Sequence, residues 1–126
     1  MESIQDWVYS LKNTNNLILV EGEKDKSALN KLGITNILAV SKTPTYKIIE
    51  SIQQKEVIIL TDLDKEGKKL YSILRHQLQK HGVKIDSAFR EFLFKETNLT
   101  QIEGLTHYLR STSYIASNIG NPVLKL

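Results

Sequence analysis

Acidic side chains follow two of the aliphatic segments of this sequence. Glu21 comes directly after LILV, and Asp62 and Asp64 come shortly after VIIL. Carboxylates two residues apart in an extended chain point to the same side. Like charges about 4 Å apart repel by roughly 4 kcal/mol at an effective dielectric of 20, so a cluster of three must be hydrated, protonated or bound to a cation. The pattern therefore indicates a site for Mg²⁺ or Mn²⁺, since hard cations take carboxylate oxygens as ligands.

A purely structural interpretation accounts for part of this pattern. An aspartate at the start of a helix caps it, and Gly67 could serve only a tight turn, so DLDKEG by itself is a common loop between a strand and a helix. A carboxylate at position 25 likewise has a sufficient role in the first turn of a helix. Glu21 is harder to explain in this way, because a strand end needs neither its charge nor the close backbone approach that Gly22 permits.

The elements that must position these residues follow from short apolar runs. The runs predict strands buried on both faces at 17–20, 34–40 and 57–61. Helical periodicity predicts intervening helices at 23–32, at about 44–52 after an N-cap at Thr43, and at 66–81. The inward residues of the last helix are expected to be Leu70, Ile73, Leu74 and Leu78, with Gly82 at its end. A fourth strand is expected within 83–94, most of it ending in FLF.

This alternation predicts a single α/β domain with about four mostly parallel strands flanked by helices. Residues 1–15 are expected to form a covering helix, in which Trp7 belongs to the core. Residues 16–95 form the main domain, and 96–126 a C-terminal extension with one short helix at IEGLTHYLR and an irregular tail.

Composition bounds the function. The chain has 126 residues, enough for one domain, and no cysteine, which excludes disulfides, cysteine–zinc sites and iron–sulfur clusters. Its longest apolar runs have four residues, far short of the roughly twenty of a membrane span, and its first residues do not resemble a signal peptide. We therefore expect a cytoplasmic protein with no membrane partner.

Positive charge is concentrated in one predicted helix. Residues 65–84 carry six Lys and Arg and one acid, a charge of +5, whereas the whole chain carries +3. A basic stripe beside an acidic metal loop suits binding of RNA or DNA phosphates, although such a stripe is also typical of a solvated face. Tyr46 and Tyr71 could stack on bases, although buried aromatics are the commoner case. The residues expected to contact phosphates are Lys24, Lys26, Lys65, Lys68, Lys69 and Arg75.

The two acidic motifs together resemble the Toprim domain. That family includes type IA and type II topoisomerases, bacterial-type primases, overcoming-lysogenization nucleases and the ribonuclease that matures 5S ribosomal RNA. Its pattern is a strand ending in Glu-Gly with Asp three residues further, then a strand ending in Asp-x-Asp with Gly three residues further. LILVEGEKD and VIILTDLDKEG match both motifs in order and spacing. The chain is most similar to small stand-alone archaeal Toprim proteins, and the 5S-maturing ribonuclease is the nearest enzyme type.

The resemblance implies a Toprim, Rossmann-like fold with a magnesium-dependent phosphodiester site. Glu21 would be the general acid or base, with Lys24 as a second catalytic candidate. Glu21, Asp62 and Asp64 would hold Mg²⁺, with Mn²⁺ possible. The supporting loop residues would be Gly22, Asp25 and Gly67.

Two functions are open at this point. One is a nuclease acting on RNA or DNA, which is favoured by the presence of all the acidic residues of both motifs. The other is a nucleic-acid or nucleotide binding module that retains the metal site and works within a larger complex. The second is favoured by the short chain, which has no room for a template-binding domain or a domain carrying a nucleophilic tyrosine. A homodimer is also possible.

Overall fold

Four parallel strands form the sheet at the centre of the molecule. In the computed structural model, which describes residues 1–111, these strands are β1 (Leu17–Val20), β2 (Ile37–Ala39), β3 (Glu56–Ile59) and β4 (Lys84–Asp86). Their order in the sheet is β2-β1-β3-β4, and every neighbouring pair is parallel. The α/β fold with four parallel strands is therefore confirmed, and β1 and β3 lie side by side in the middle.

Helices cover both faces of the sheet, as parallel strands require. They are α1 (Ile4–Asn13), α2 (Glu23–Asn30), α3 (Thr45–Ser51), α4 (Lys65–Lys80), α5 (Ala88–Glu96) and α6 (Leu105–Ser111), with a 3₁₀ turn at Ile102–Gly104. Ile18 and Val20 of β1 face the core under α1, α2, α5 and α6, whereas Leu19 faces the core under α3 and α4. The alternation of side chains along the strand thus supplies two cores from one apolar run.

The covering helix at the N-terminus is confirmed. Its apolar stripe is buried, and the indole Nε1 of Trp7 donates a hydrogen bond of 2.8 Å to the Phe89 carbonyl. The two rings meet edge to face with centroids 6.2 Å apart. The Ser3 hydroxyl accepts from the Asp6 amide, as an N-cap does. Trp7 is therefore a core residue that ties α1 to α5.

The expectation for the FLF segment was wrong. The fourth strand is limited to Lys84–Asp86, and FLF lies in α5. Phe89 and Leu93 are buried four residues apart, which is the period of a helix face. A short apolar run fits either a buried strand or a buried helix, and here the helical packing against Trp7 decided the outcome.

Two further details differ from the expectation. Pro44, rather than Thr43, occupies the N-cap of α3. Ile73 of α4 is 40% exposed, although Leu74 and Leu78 are buried as expected. The expected end of α4 is correct, because Gly82 follows it with φ of +80°. The short helix at IEGLTHYLR is present as the 3₁₀ turn followed by α6.

Some expectations fall outside what the structure addresses. The irregular tail at 117–126 lies beyond the described residues, and the division at 15 and 95 remains a prediction. Within residues 1–111, no helix combines the length and apolar character that crossing a bilayer requires.

Candidate metal centre

Sheet topology brings the acidic residues together. Because β1 and β3 are adjacent and parallel, their carboxyl ends meet at one edge of the sheet, where ligands of open α/β folds bind. Glu21 follows β1, and Asp62 and Asp64 follow β3. One carboxylate oxygen from each of the three lies within 4.8 Å of the others.

A backbone amide fixes the first carboxylate. The Asp62 N–H donates a hydrogen bond of 2.8 Å to Glu21 Oε1, which joins the two acidic motifs directly. The Glu21 carbonyl accepts a bond of 2.7 Å from the Ser41 N–H, so the loop after β2 also holds this residue. Glu21 is half-buried and its position is set from both neighbouring strands.

The second carboxylate is fixed by the chain beyond α5. Asp62 is only 9% exposed, and its Oδ1 accepts a hydrogen bond of 2.8 Å from the Ile102 N–H. The neighbouring Leu63 N–H donates to the Thr100 carbonyl at 2.7 Å. Sequence analysis missed this contact because no motif marks residues 100–102 and the bonded atoms are 40 residues apart.

The third carboxylate caps α4. Asp64 Oδ1 accepts a hydrogen bond of 2.8 Å from the Gly67 N–H. A Cβ atom on Gly67 would overlap the Asp62 carbonyl oxygen, and the Thr61 hydroxyl donates to the Gly67 carbonyl at 2.8 Å. The glycine is therefore required by the close approach of α4 to the acidic loop. Because Asp64 is exposed, its carboxylate can cap α4 and also belong to the acidic cluster.

The loop after β1 is closed by Asp25. Its Oδ2 accepts a hydrogen bond of 3.0 Å from the N–H of Gly22, the N-cap residue of α2. Burial raises the pKa of Asp25, the Gly22 bond opposes this, and the charges of Glu103 and Asp64 raise it further. Asp25 thus supports the loop from inside.

Burial and like charge also act on Asp62. The pKa of its carboxyl is raised from 3.8 to about 6, mainly by burial, and the hydrogen bond from Ile102 opposes that effect. The nearby charges of Asp25, Glu21 and Asp64 contribute to the same increase. A carboxyl pKa raised by burial and like charges in this way is typical of functional sites.

Arg90 holds the backbone of the acidic loop, and sequence analysis did not identify it. Its Nε donates to the Thr61 carbonyl at 2.9 Å and its Nη2 donates to the Asp62 carbonyl at 2.7 Å. The guanidinium lies over the rings of Tyr71 and Phe94, 4.5 Å and 5.4 Å from their centroids. Burial lowers the pKa of Arg90, and nearby Tyr71, Asp62 and Glu21 oppose this. A lone arginine in an apolar helix carries no sequence signal for this role.

The predicted basic residues occupy different surroundings. Lys24 lines a groove of about 350 Å³ with Glu21 and Asp62, and Lys69 lines a neighbouring hollow that also includes Glu21. Lys65 and Lys68 are exposed on α4, Lys26 is half-buried, and Arg75 faces Tyr71 and Glu91 elsewhere. The groove has further lining residues that were not predicted: Ser41, Lys42, Gln101 and Glu103.

Oxygen chemistry and spacing in the acidic cluster suit a small divalent cation. Two oxygens on opposite sides of Mg²⁺ at about 2.1 Å are about 4.2 Å apart, close to the 4.8 Å limit of the cluster. Three carboxylates without a soft ligand favour Mg²⁺ or Mn²⁺ over thiolate-binding metals. The residues present therefore fit such an ion.

Comparison with known families agrees with this geometry. The sequence profile of the Toprim domain matches residues 15–89, more than half of the chain. The chain belongs to the Toprim family. Membership confirms the resemblance, and it indicates a metal-dependent function connected with nucleic acids.

The relatives of this Toprim protein include small archaeal proteins. A UPF0292 protein of Methanocaldococcus jannaschii is 35% identical over 73% of this chain and 77% of its own. A UPF0292 protein of Pyrococcus abyssi is 36% identical over 79% of this chain and 80% of its own. A protein of known structure from Aquifex aeolicus superposes with a TM-score of 0.77 at 32% identity, over 82% of this chain and 98% of that one.

The raised pKa of Asp62 predicts a pH-dependent effect of Asp62→Asn. The folded protein keeps this proton up to about pH 6, whereas the unfolded chain releases it near pH 4. Ionised Asp62 therefore lowers the free energy of unfolding above pH 6, and this cost disappears as the pH falls toward 4. In urea denaturation with EDTA, we expect Asp62→Asn to be more stable than the wild type at pH 7.5, with a difference that shrinks by pH 4.5.

The asparagine oxygen can still accept the Ile102 bond, so the substitution changes mainly charge. A stability difference that stays constant from pH 7.5 to 4.5 would contradict the assignment of this titration to Asp62.

Proposed function

We propose that this protein is a metal-dependent nuclease that hydrolyses phosphodiester bonds of RNA or DNA. The proposal depends on one observation, the placement of Glu21, Asp62 and Asp64 oxygens within 4.8 Å at the carboxyl edge of β1 and β3. Hydrolysis by a metal-assisted site needs negative ligands that hold the ion and a groove that admits the phosphate. The groove lined by Glu21 and Asp62, with a volume of about 350 Å³, has room for a phosphate.

Glu21, Asp62 and Asp64 would hold Mg²⁺ or Mn²⁺, which when bound supplies charge neutralisation at a phosphate and a more acidic water. Glu21 is the best placed proton acceptor, since the Asp62 amide orients its carboxylate toward the cluster. Lys24 lines the same groove and can neutralise phosphate charge. Arg90 and Ile102 position Asp62 without lining the groove.

Metal binding should appear as a rise in melting temperature. An ion that binds only the folded state stabilises it, by about 2.7 kcal/mol at 100 times its Kd. We expect Mg²⁺ or Mn²⁺ to raise the melting temperature of the wild type and of Glu23→Gln, whose side chain lines the groove outside the acidic cluster. The double variant Asp62→Asn with Asp64→Asn should show no rise. An undiminished rise in that variant would place the ion elsewhere.

Cleavage is the direct test of the proposed function. Structured RNA and DNA are incubated with the wild type in Mg²⁺, in Mn²⁺ and in EDTA. We expect cleavage only with metal, and a loss of at least 100-fold in rate for Glu21→Gln, since general acid–base groups contribute about 10²–10⁴-fold. The glutamine oxygen can still accept the Asp62 amide, so the loop keeps its bond. Glu21→Gln purified in the same way also reveals a contaminating nuclease, because a contaminant would cut in both preparations. Glu23→Gln controls for the loss of one negative charge from the groove.

If the protein binds RNA or DNA in a metal-dependent way but does not cut them, the alternative is favoured, a binding module that acts within a larger complex.

Phosphate contacts by α4 predict a strong dependence on salt. Lys68 and Lys69 are both exposed, and each phosphate contact contributes about −0.9 to the slope of log K against log salt on duplex DNA, or about −0.7 on single strands. Replacing both by Ala should flatten the slope by about one to two units and weaken all sequences alike. The matched control replaces Lys31 and Lys95, which are exposed on the opposite side of the sheet. A double variant with the wild-type slope would show that this stripe is only a solvated face.

A further inference from the structure

A groove between α3 and α4 has no role in the chemistry described above. It has a volume of about 340 Å³ and is lined by Tyr46 and Ile49 of α3 and by Ile73 and Gln77 of α4. Glu50 also lines it, and His81 lies at its far end. Tyr46, Ile49 and Ile73 give it an apolar part.

This groove has a neighbouring hollow that includes a residue of the acidic cluster. A second hollow of about 240 Å³ is lined by Glu21, Glu66, Lys69, Leu70 and Ile73. Because Ile73 lines both hollows, they are neighbours along α4, with Glu21 at one side of the pair and Tyr46 at the other. A strand that reaches the acidic cluster at Glu21 would therefore pass Ile73 next to the groove.

Two large apolar side chains are exposed in this pair of hollows. Tyr46 is 60% exposed and Ile73 is 40% exposed, although the apolar period of α4 predicts that Ile73 faces the core. An exposed aromatic ring that shares a groove with exposed aliphatic carbon is suited to stacking of unpaired bases, whereas paired bases in a duplex hide their faces.

Positive charge borders the same hollows. At about 100° per residue, Lys65, Lys69 and Lys80 fall on a strip of α4 about 60° wide, next to the side that carries Ile73 and Gln77. Phosphates can follow this strip while the neutral bases turn toward the apolar wall. The acids Glu50 and Glu66 on the wall disfavour the opposite orientation, in which phosphates would enter the groove.

We propose that the groove between α3 and α4 binds single-stranded nucleic acid, with bases against Tyr46 and Ile73 and phosphates on the lysine strip. This assignment rests on the proposed function, because it names the substrate class of that site. It makes Tyr46 a residue that selects single strands over duplexes.

The test compares a fluorescent single-stranded oligonucleotide with its duplex by anisotropy, in EDTA so that nothing is cut. We expect the wild type to bind the single strand more tightly than the duplex. Tyr46→Ala should weaken single-strand binding by about five- to 150-fold, as loss of one aromatic stacking partner does, and leave duplex binding within twofold. Tyr46→Phe should bind as the wild type does, because it keeps the ring.

Tyr9→Ala is the matched control, since Tyr9 is 70% exposed on α1, on the opposite face of the sheet. Equal single-strand affinity of Tyr46→Ala and Tyr9→Ala, or tighter binding of the duplex by the wild type, would overturn the proposal. If cleavage needs metal but is unchanged in Tyr46→Ala, the single-strand groove is refuted and the nuclease is not. Tyr46-dependent binding without any cleavage would refute the nuclease and leave the groove.

Discussion

The oxygens of Glu21, Asp62 and Asp64 lie within 4.8 Å of one another, and the surrounding structure depends on how this negative charge is held. Each of the three carboxylates accepts one backbone amide: that of Asp62, of Ile102 and of Gly67, respectively. Hydrogen bonds from amides to ionised carboxylates are stronger than neutral ones and carry no rotamer freedom of their own. Burial, and after it the repulsion from neighbouring carboxylates, raises the pKa of Asp62.

Part of this support comes from outside the segment that defines the family. The Toprim match ends at residue 89, but Arg90 holds the carbonyls of Thr61 and Asp62, and residues 100–102 hold Leu63 and the Asp62 side chain. A turn of backbone is a rigid donor, and a guanidinium packed against two rings has few rotamers left. The chain after the family segment therefore sets the geometry of the acidic loop as directly as the motif itself.

The two faces of the sheet are covered unequally. Among residues 1–111, four helices close one face, whereas only α3 and α4 cover the other, and α3 has seven residues. The short helix leaves the side of α4 that carries Ile73 uncovered, which produces the groove. Since α4 begins at the Asp64 cap, the same helix connects the acidic cluster to that groove.

The sequence by itself determined the strands β1 to β3, the helices around them and the order of the two acidic motifs. These follow from local periodicity and caps, and the meeting of Glu21 with Asp62 and Asp64 follows from parallel pairing of adjacent strands. The family could also be identified, because its motifs are contiguous in the chain.

Only the tertiary structure decided how FLF folds, where Arg90 points and that Ile102 bonds to Asp62. A short apolar run satisfies both helical and extended periods, so its packing partner selects between them. The contacts of Arg90 and Ile102 join atoms 28 to 40 residues apart. Such contacts depend on where the chain returns after β4, and no local pattern of residue types encodes that path.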